Sequence, residues 1–214
     1  MHYITDYFIL FVFYSFFGWV LEVGLAFSKE HKFINRGFLI GPVVPIWGFG
    51  AILISFILKD SDGIFNLLVS SAFIGTALEY VINYIMEIIF KARWWDYSGR
   101  LFNINGRVWL GSSVFFGIGG LCVIKFFNPF LLNVINNIND SFLNIISIIL
   151  FIILIIDFCI SCNIIKKLKL SVYSMKKDYT EEISKKVKLV LIEKSHSFRR
   201  LLKAFPDVNF IIKK

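Results

Sequence analysis

No stretch of this sequence matches the phosphate-cradling pattern G-x-x-x-x-G-K-[ST], no Ser/His/Asp set stands out, and no His, Cys, Asp or Glu cluster has metal-ligand spacing. The chain therefore carries no motif for hydrolysing ATP, for triad chemistry or for holding a metal or other cofactor. Histidine is scarce: His2 is near the start, His31 falls in a loop and His196 in the tail. The three cysteines, Cys122, Cys159 and Cys162, all lie in apolar segments, and an odd, apolar set does not suggest a disulfide framework. Cys159 and Cys162 form a C-x-x-C without a thioredoxin-like context and read as packing residues. Only 18% of residues are charged, and none of the apolar runs alternates with the period of a barrel strand.

What fills the chain instead is apolar: 57% hydrophobic and 18% aromatic residues, with a mean hydropathy of +0.72, outside the range of soluble domains. Five runs are long enough for a hydrocarbon layer of about 30 Å, which takes roughly 20 helical residues. They are Phe8 to Ser28, Phe38 to Leu58, Ile64 to Phe90, Val108 to Phe127 and Ser141 to Asn163. Lipid cannot solvate peptide groups, so each run is expected to be helical. The fold class that follows is all-α, a polytopic membrane bundle of about five helices over 1–163 with a basic amphipathic tail over 164–214.

Basic residues orient the runs. Lys29, Lys32 and Arg36 follow run one; Lys91, Arg93, Arg100 and Arg107 follow run three; the tail holds 14 of the 23 Lys and Arg. KDSDG after run two and LLNVINNIND after run four are poor in them, so the positive-inside rule places the N-terminus outside and the C-terminus in the cytoplasm of a multi-pass cell-membrane protein. The opening MHYITDY has no Lys or Arg and no small-residue cleavage site follows, so the first run is expected to stay in the mature protein.

The net charge of +8 is uneven. The tail has 14 basic against 5 acidic residues, a balance of +9, and the rest of the chain sums to −1. A basic tail on an apolar bundle suits anionic lipid headgroups or an acidic partner and argues against nucleic acid. Met175, Tyr179, Ile183, Val187, Val190, Leu191, Phe198, Leu201, Leu202 and Phe205 recur at helical spacing, Asp178 and Glu181 have capping-box spacing, and Pro206 follows. Such a helix either packs on the cytoplasmic face of the bundle or lies on the inner leaflet.

Ionisable groups within the runs are costly, about 2.5 to 3.5 kcal/mol for an Asp at a helix centre, so each is expected to face a partner or a wet cavity. Glu22, Glu79, Glu87 and Asp157 are the four acids placed there. Glu79, Asn83 and Glu87 recur at i, i+4 and i+8 and share one face. Ser15, Trp19 and Glu22 occupy a comparable face of run one. Asp157 lies near the cytoplasmic end of run five with Lys166 and Lys167 behind it. Gly37, Gly41, Pro42 and Pro45 interrupt the start of run two, as a kinked packing helix or a binding cleft would. Between runs three and four, Trp94, Trp95, Asp96, Tyr97, Asn103, Asn105 and Arg107 form a loop with an Asn105-Gly106 turn. Its aromatic residues suit the headgroup region, and Arg36, Arg93, Arg100 and Arg107 are candidates to converge on an anion.

GWVLE at 18–22, NRGFLIGPVVPIWGFG at 35–50, LEYVINYIMEIIF at 78–90 and WWDYSGRLFNINGR at 94–107 together resemble the bacterial integral membrane proteins of the CmpB-like, ABC-transporter type IV permease family. The resemblance covers about residues 10 to 125 and departs at WLGSSVFFG and at Trp47, where tyrosine is usual. It implies a transport role in the bacterial inner membrane, with any ATPase a separate subunit. Three readings stand: a permease-like transporter subunit, an intramembrane enzyme acting on a lipid-linked phosphate, and a membrane scaffold with a basic tail. A second copy of the chain is a further candidate partner. The candidate binding residues are Glu22, Arg36, Glu79, Asn83, Glu87, Arg93, Trp94, Trp95, Asp96, Tyr97, Asn103, Asn105 and Arg107. A cysteine placed at Ser61 is expected to react with a membrane-impermeant thiol reagent in intact cells, and one at Ser98 only after permeabilisation; equal labelling of the two would refute the orientation.

Overall fold

The computed structural model describes residues 3–176, 195–205 and 208–210. Helices α1 (Tyr3–Glu30), α2 (Pro45–Ile57), α3 (Ile64–Phe90), α4 (Leu110–Cys122), α5 (Asn128–Asn136) and α6 (Asp140–Lys176) build an all-α bundle, and a short α7 (His196–Ala204) caps it. A π turn, Val123–Phe127, joins α4 to α5. Ile4–Glu30, Ile64–Phe90, Leu110–Asn136 and Asp140–Ser171 are helical, long and apolar enough to cross a membrane. Two-residue strands β1 (Ala92–Arg93) and β2 (Asn209–Phe210) pair antiparallel, Ala92 opposite Phe210.

Contacts sort the helix ends into two groups. At one end Thr5 donates to Asn144 at 2.9 Å, Leu10 packs with Ile135 and Leu143, and Leu58 packs with Leu67. At the other, Phe90, Ala92 and Trp94 pack with Ile165 and Leu168 of α6 and with Phe198, Leu201 and Leu202 of α7. Each of the five apolar runs leads from one end to the other.

The second run does so only partly as a helix. Helicity begins at Pro45 rather than Phe38, and α2 spans 13 residues, about 20 Å. Pro42 and Pro45 lack an N–H, and the residue before a proline is pushed out of the α region; Val44 is extended, with φ −122° and ψ 92°. The exposed peptide groups find partners elsewhere. Asp157 of α6 accepts from the N–H groups of Ile40 and Gly41 at 2.9 and 2.7 Å, and Ser15 O accepts from Val44 N at 2.9 Å. Asp157 thus caps the broken segment instead of facing Lys166 and Lys167.

The fourth run, expected to stop at Phe127, continues to Asn136. The π turn precedes Pro129, whose missing N–H and bulky ring a regular helix would not accommodate. Asn128 fixes the junction, accepting from Tyr14 OH at 2.6 Å and donating to Ser55 Oγ at 2.7 Å. Run five likewise extends past Asn163 to Lys176, so the 163/164 division falls inside a continuous helix. In the tail, α7 buries Phe198, Leu201, Leu202 and Ala204 while His196 and Lys203 stay exposed, the amphipathic face the spacing predicts. Tyr179 to Leu191, the Asp178–Glu181 spacing and Pro206 lie outside the described residues.

Small residues let helices approach. Gly18 lies under the Trp47 ring, Gly48 lies against Ser15 and Phe11, and Gly117 and Gly120 lie against Leu68 O and Ser71 of α3. This is the small-residue contact that drives helix association where lipid gives no hydrophobic force. Gly48→Val, which drives a side chain into Phe11 and Ser15, is expected to destabilise the purified protein by about 1–3 kcal/mol. Gly24→Ala meets nothing within 4 Å and should leave the unfolding midpoint unchanged or raised. Thermal unfolding in detergent reads both.

Candidate functional site

One face of α3 is buried at every fourth residue, Leu67, Ser71, Gly75, Glu79 and Asn83, so the i, i+4 spacing delivers an acid and an amide to the bundle interior. Glu79 is 7% and Asn83 2% exposed. Glu87 follows one turn on, half-buried at the end of the helix. Lys91 then ends α3 in the left-handed conformation, φ 53°, and the chain turns back over this face.

The returning loop is held by its own backbone. Tyr97 N donates to Gly106 O at 2.7 Å, Ile104 N to Val108 O at 3.0 Å and Arg107 N to Ile104 O at 3.0 Å. Between them Asn105 and Gly106 both have positive φ, 52° and 67°, which a type I′ turn requires and which Asn-Gly supplies. Asn103 donates to Ser98 O and Arg100 O and accepts from Gly106 N. Trp95 Nε1 donates to Arg107 O at 3.1 Å, and Asn105 donates to Tyr80 OH at 2.9 Å.

That fold of the loop presses Arg107 onto α3. Its guanidinium, 6% exposed as a residue, donates to Asn83 Oδ1 at 2.6 Å and pairs with Glu87 Oε2 at 2.9 Å. The same charge sits 5.1 Å from the ring centre of Tyr84 and 5.6 Å from that of Tyr80, within cation–π range. Arg93 reaches the same Glu87 oxygen, Oε2, at 3.2 Å and Asp96 at 3.5 Å. Glu87 is therefore a bridging carboxylate between two arginines. Asp96 accepts from the Ser98 hydroxyl and N–H, and these bonds, with Arg93 beside it, hold its carboxyl below the usual range.

A second polar layer lies deeper. Tyr97 OH donates to one oxygen of Glu79 at 3.3 Å and Ser112 Oγ to the other at 3.0 Å. Burial and the neighbouring Glu79 carboxylate push the Tyr97 phenol well above its ordinary pKa, so it stays a donor. Trp47 Nε1 donates to Glu22 at 3.1 Å, and Glu22 is near enough to Glu79 and to Arg36 for electrostatic interaction. Among the described residues neither Glu22 nor Glu79 has an ion pair. In that same described set, no His, Cys, Asp and Glu group is placed to hold a metal ion.

Of the candidate residues, Glu79, Asn83, Glu87, Arg93, Trp95, Asp96, Tyr97, Asn105 and Arg107 thus converge, with Asn103 shaping the loop and Glu22 adjoining from α1. The four arginines do not meet on one point. Arg36 donates to Ala204 O at the end of α7, and Arg100 lies over the Trp109 ring at 5.4 Å. Trp94, 2% exposed, is an apolar core residue packed edge-on against Phe90 and Phe205. Tyr80, Tyr84, Ser112 and Trp47 belong to the arrangement and carry no motif of their own. Tyr80 and Tyr84 flank Asn83 at helical spacing from Glu87, the one signal in the sequence that could have placed them.

A bundle with four helices long and apolar enough to cross a membrane, and a charged network at the end of the second of them, is the architecture of an integral membrane protein. The chain belongs to the family described as "Putative ABC-transporter type IV", whose model matches residues 9–162. The match takes in the fifth apolar run, beyond the stretch around 10–125 where the resemblance was legible. No curated protein and no solved structure is significantly similar to it.

Arg107→Ala leaves Asn83 Oδ1 without its donor and Glu87 with one arginine. Losing one partner of a buried pair costs about 3 kcal/mol. Arg107→Lys, which keeps the charge but not the fork, should recover only part of that loss. Denaturant unfolding of the two variants beside the parent measures the difference.

Proposed function

We propose that the chain is the permease-like membrane subunit of a transporter, and that it holds a polar or anionic ligand at the bundle end roofed by the WWDYS loop. The observation carrying this reading is the Glu87, Arg107 and Asn83 cluster with Arg93 beside it. Arg107 is a buried charge, and buried ionisable side chains in membrane bundles are expensive and mark pathways or binding sites. Each guanidinium has five donors; Arg93 spends some on Glu87 and Asp96 and Arg107 some on Glu87 and Asn83, and a phosphate or carboxylate oxygen is the partner that suits the rest. Glu22 and Glu79 line the next layer inward, where a ligand passing along the bundle would meet them.

Membership of an ABC-transporter-type family supports transport and makes a separate ATP-binding subunit the natural source of energy, since this chain has no phosphate loop. The distribution of Lys and Arg supports an outward N-terminus and a cytoplasmic WWDYS loop and tail in the bacterial inner membrane, with the +9 tail beside anionic headgroups.

Purification in mild detergent followed by native mass spectrometry tests the site. The parent is expected to carry a bound anionic lipid or small anion that Arg107→Ala loses and Cys159→Ala keeps. The same bound species on all three proteins would refute the site, whatever the transport activity.

A further inference from the structure

The non-helical segment 36–41 is held from both sides by side chains of other elements, and one holder is the short C-terminal helix. Arg200 of α7 donates to the carbonyls of three successive residues, Gly37 at 3.3 Å, Phe38 at 3.2 Å and Leu39 at 2.7 Å. Arg36, at the start of the segment, donates in return to Ala204 O, a carbonyl at the C-terminal end of α7 that the helix itself cannot satisfy. Below Arg200, Asp157 takes the N–H groups of Ile40 and Gly41. The carbonyls of 37–39 are thus held by α7 and the N–H groups of Ile40 and Gly41 by α6, while the Ile40 and Gly41 carbonyls accept from Asn35 Nδ2 and Val43 N nearby in the chain. Phe38 packs against the Phe90, Trp94 and Leu201 cluster, and Leu39 is 2% exposed.

We propose that α7 is a latch, and that its docking keeps segment 36–41 seated in the bundle and closes this end of the molecule. Nine residues are too few to hold a helix in water alone, so α7 is helical because it is docked, and undocking removes the Arg200 donors all at once. Carbonyls left without donors inside an apolar bundle must find water, so the segment leaves its seat when the latch leaves. The coupling is reciprocal, since Arg36 belongs to the segment and satisfies the latch. Its reach extends inward: the segment leads through Val44, bonded to Ser15 O, into Trp47, which holds Glu22. A released latch opens the path between the loop end and the Glu22–Glu79 layer. This goes beyond the transport reading, because it concerns which conformations the chain adopts and not what it carries.

The test places a cysteine at Leu39 in the full chain, with the three native cysteines replaced by alanine, and measures its reaction with maleimide in lipid nanodiscs. Arg200→Ala is expected to raise the rate at least about fivefold, the lower range of conformational coupling. Leu201→Asp, which undocks α7 while leaving Arg200 in place, is expected to raise it as much. A cysteine at Leu101, exposed in the loop, should react at one rate throughout. If Leu201→Asp leaves the Leu39 cysteine at its parent rate, Arg200 is a local brace and the latch is refuted. Hydrogen exchange on the unsubstituted chain gives a second measure. The amides of Ile40, Gly41 and Phe205 should open together, and opening of α7 without the segment would equally overturn the proposal.

Discussion

A break in a helix inside an apolar bundle leaves peptide groups that lipid cannot solvate, and meeting that demand organises one end of this molecule. Between Arg36 and Val44 the chain gives up the helical ladder, because Pro42 and Pro45 cannot donate and crowd the residues before them. Asp157, Ser15 O and Arg200 take over the peptide groups so exposed. They come from α6, α1 and α7, so the break ties together three elements far apart in sequence. The same geometry brings Trp47 over Gly18 and within reach of Glu22.

The charge network obeys a related constraint. An acid at the end of α3 is tolerable when its charge is shared, and Glu87 shares it with Arg93 and Arg107, both of which meet its Oε2. Arg107 is held in turn by the amide of Asn83 and two tyrosine faces, so its position is fixed by the helix it pairs with rather than by the loop alone. Glu79 is met by neutral hydroxyls, those of Tyr97 and Ser112, and Glu22 by an indole N–H. Two layers with different chemistry therefore lie in sequence along the bundle, an ion-paired one under the loop and, beyond it, an acidic one held by hydrogen bonds from neutral donors.

Much of this was legible along the chain, and the parts that were not share a cause. Long apolar runs are driven to be helices in lipid whatever they pack against, which set the all-α class and the inward stripe of Glu79, Asn83 and Glu87; four of the five runs form helices long enough to cross, and the second is helical only from Pro45. Asn105-Gly106 announced its turn because only residues tolerant of positive φ fit both central positions. Those features depend on local sterics and on spacing within one element. The helical run through Pro129 to Asn136 was not legible, because the junction rests on Tyr14 and Ser55 from other helices.

Side-chain partnership is the part that tertiary structure alone decided. Four arginines near two acids suggested one anion clamp, yet Arg36 went to the end of α7 and Arg100 to the face of Trp109, leaving Arg93 and Arg107 on Glu87. Asp157, with lysines close behind it in sequence, instead serves the backbone of a segment more than a hundred residues away. A long, flexible charged side chain has many partners within reach, and spacing along one helix says which way it points, not what it meets. The sequence determined which residues the bundle could not leave unpaired; the packing of α1, α6 and α7 around the broken second run determined which partner each received.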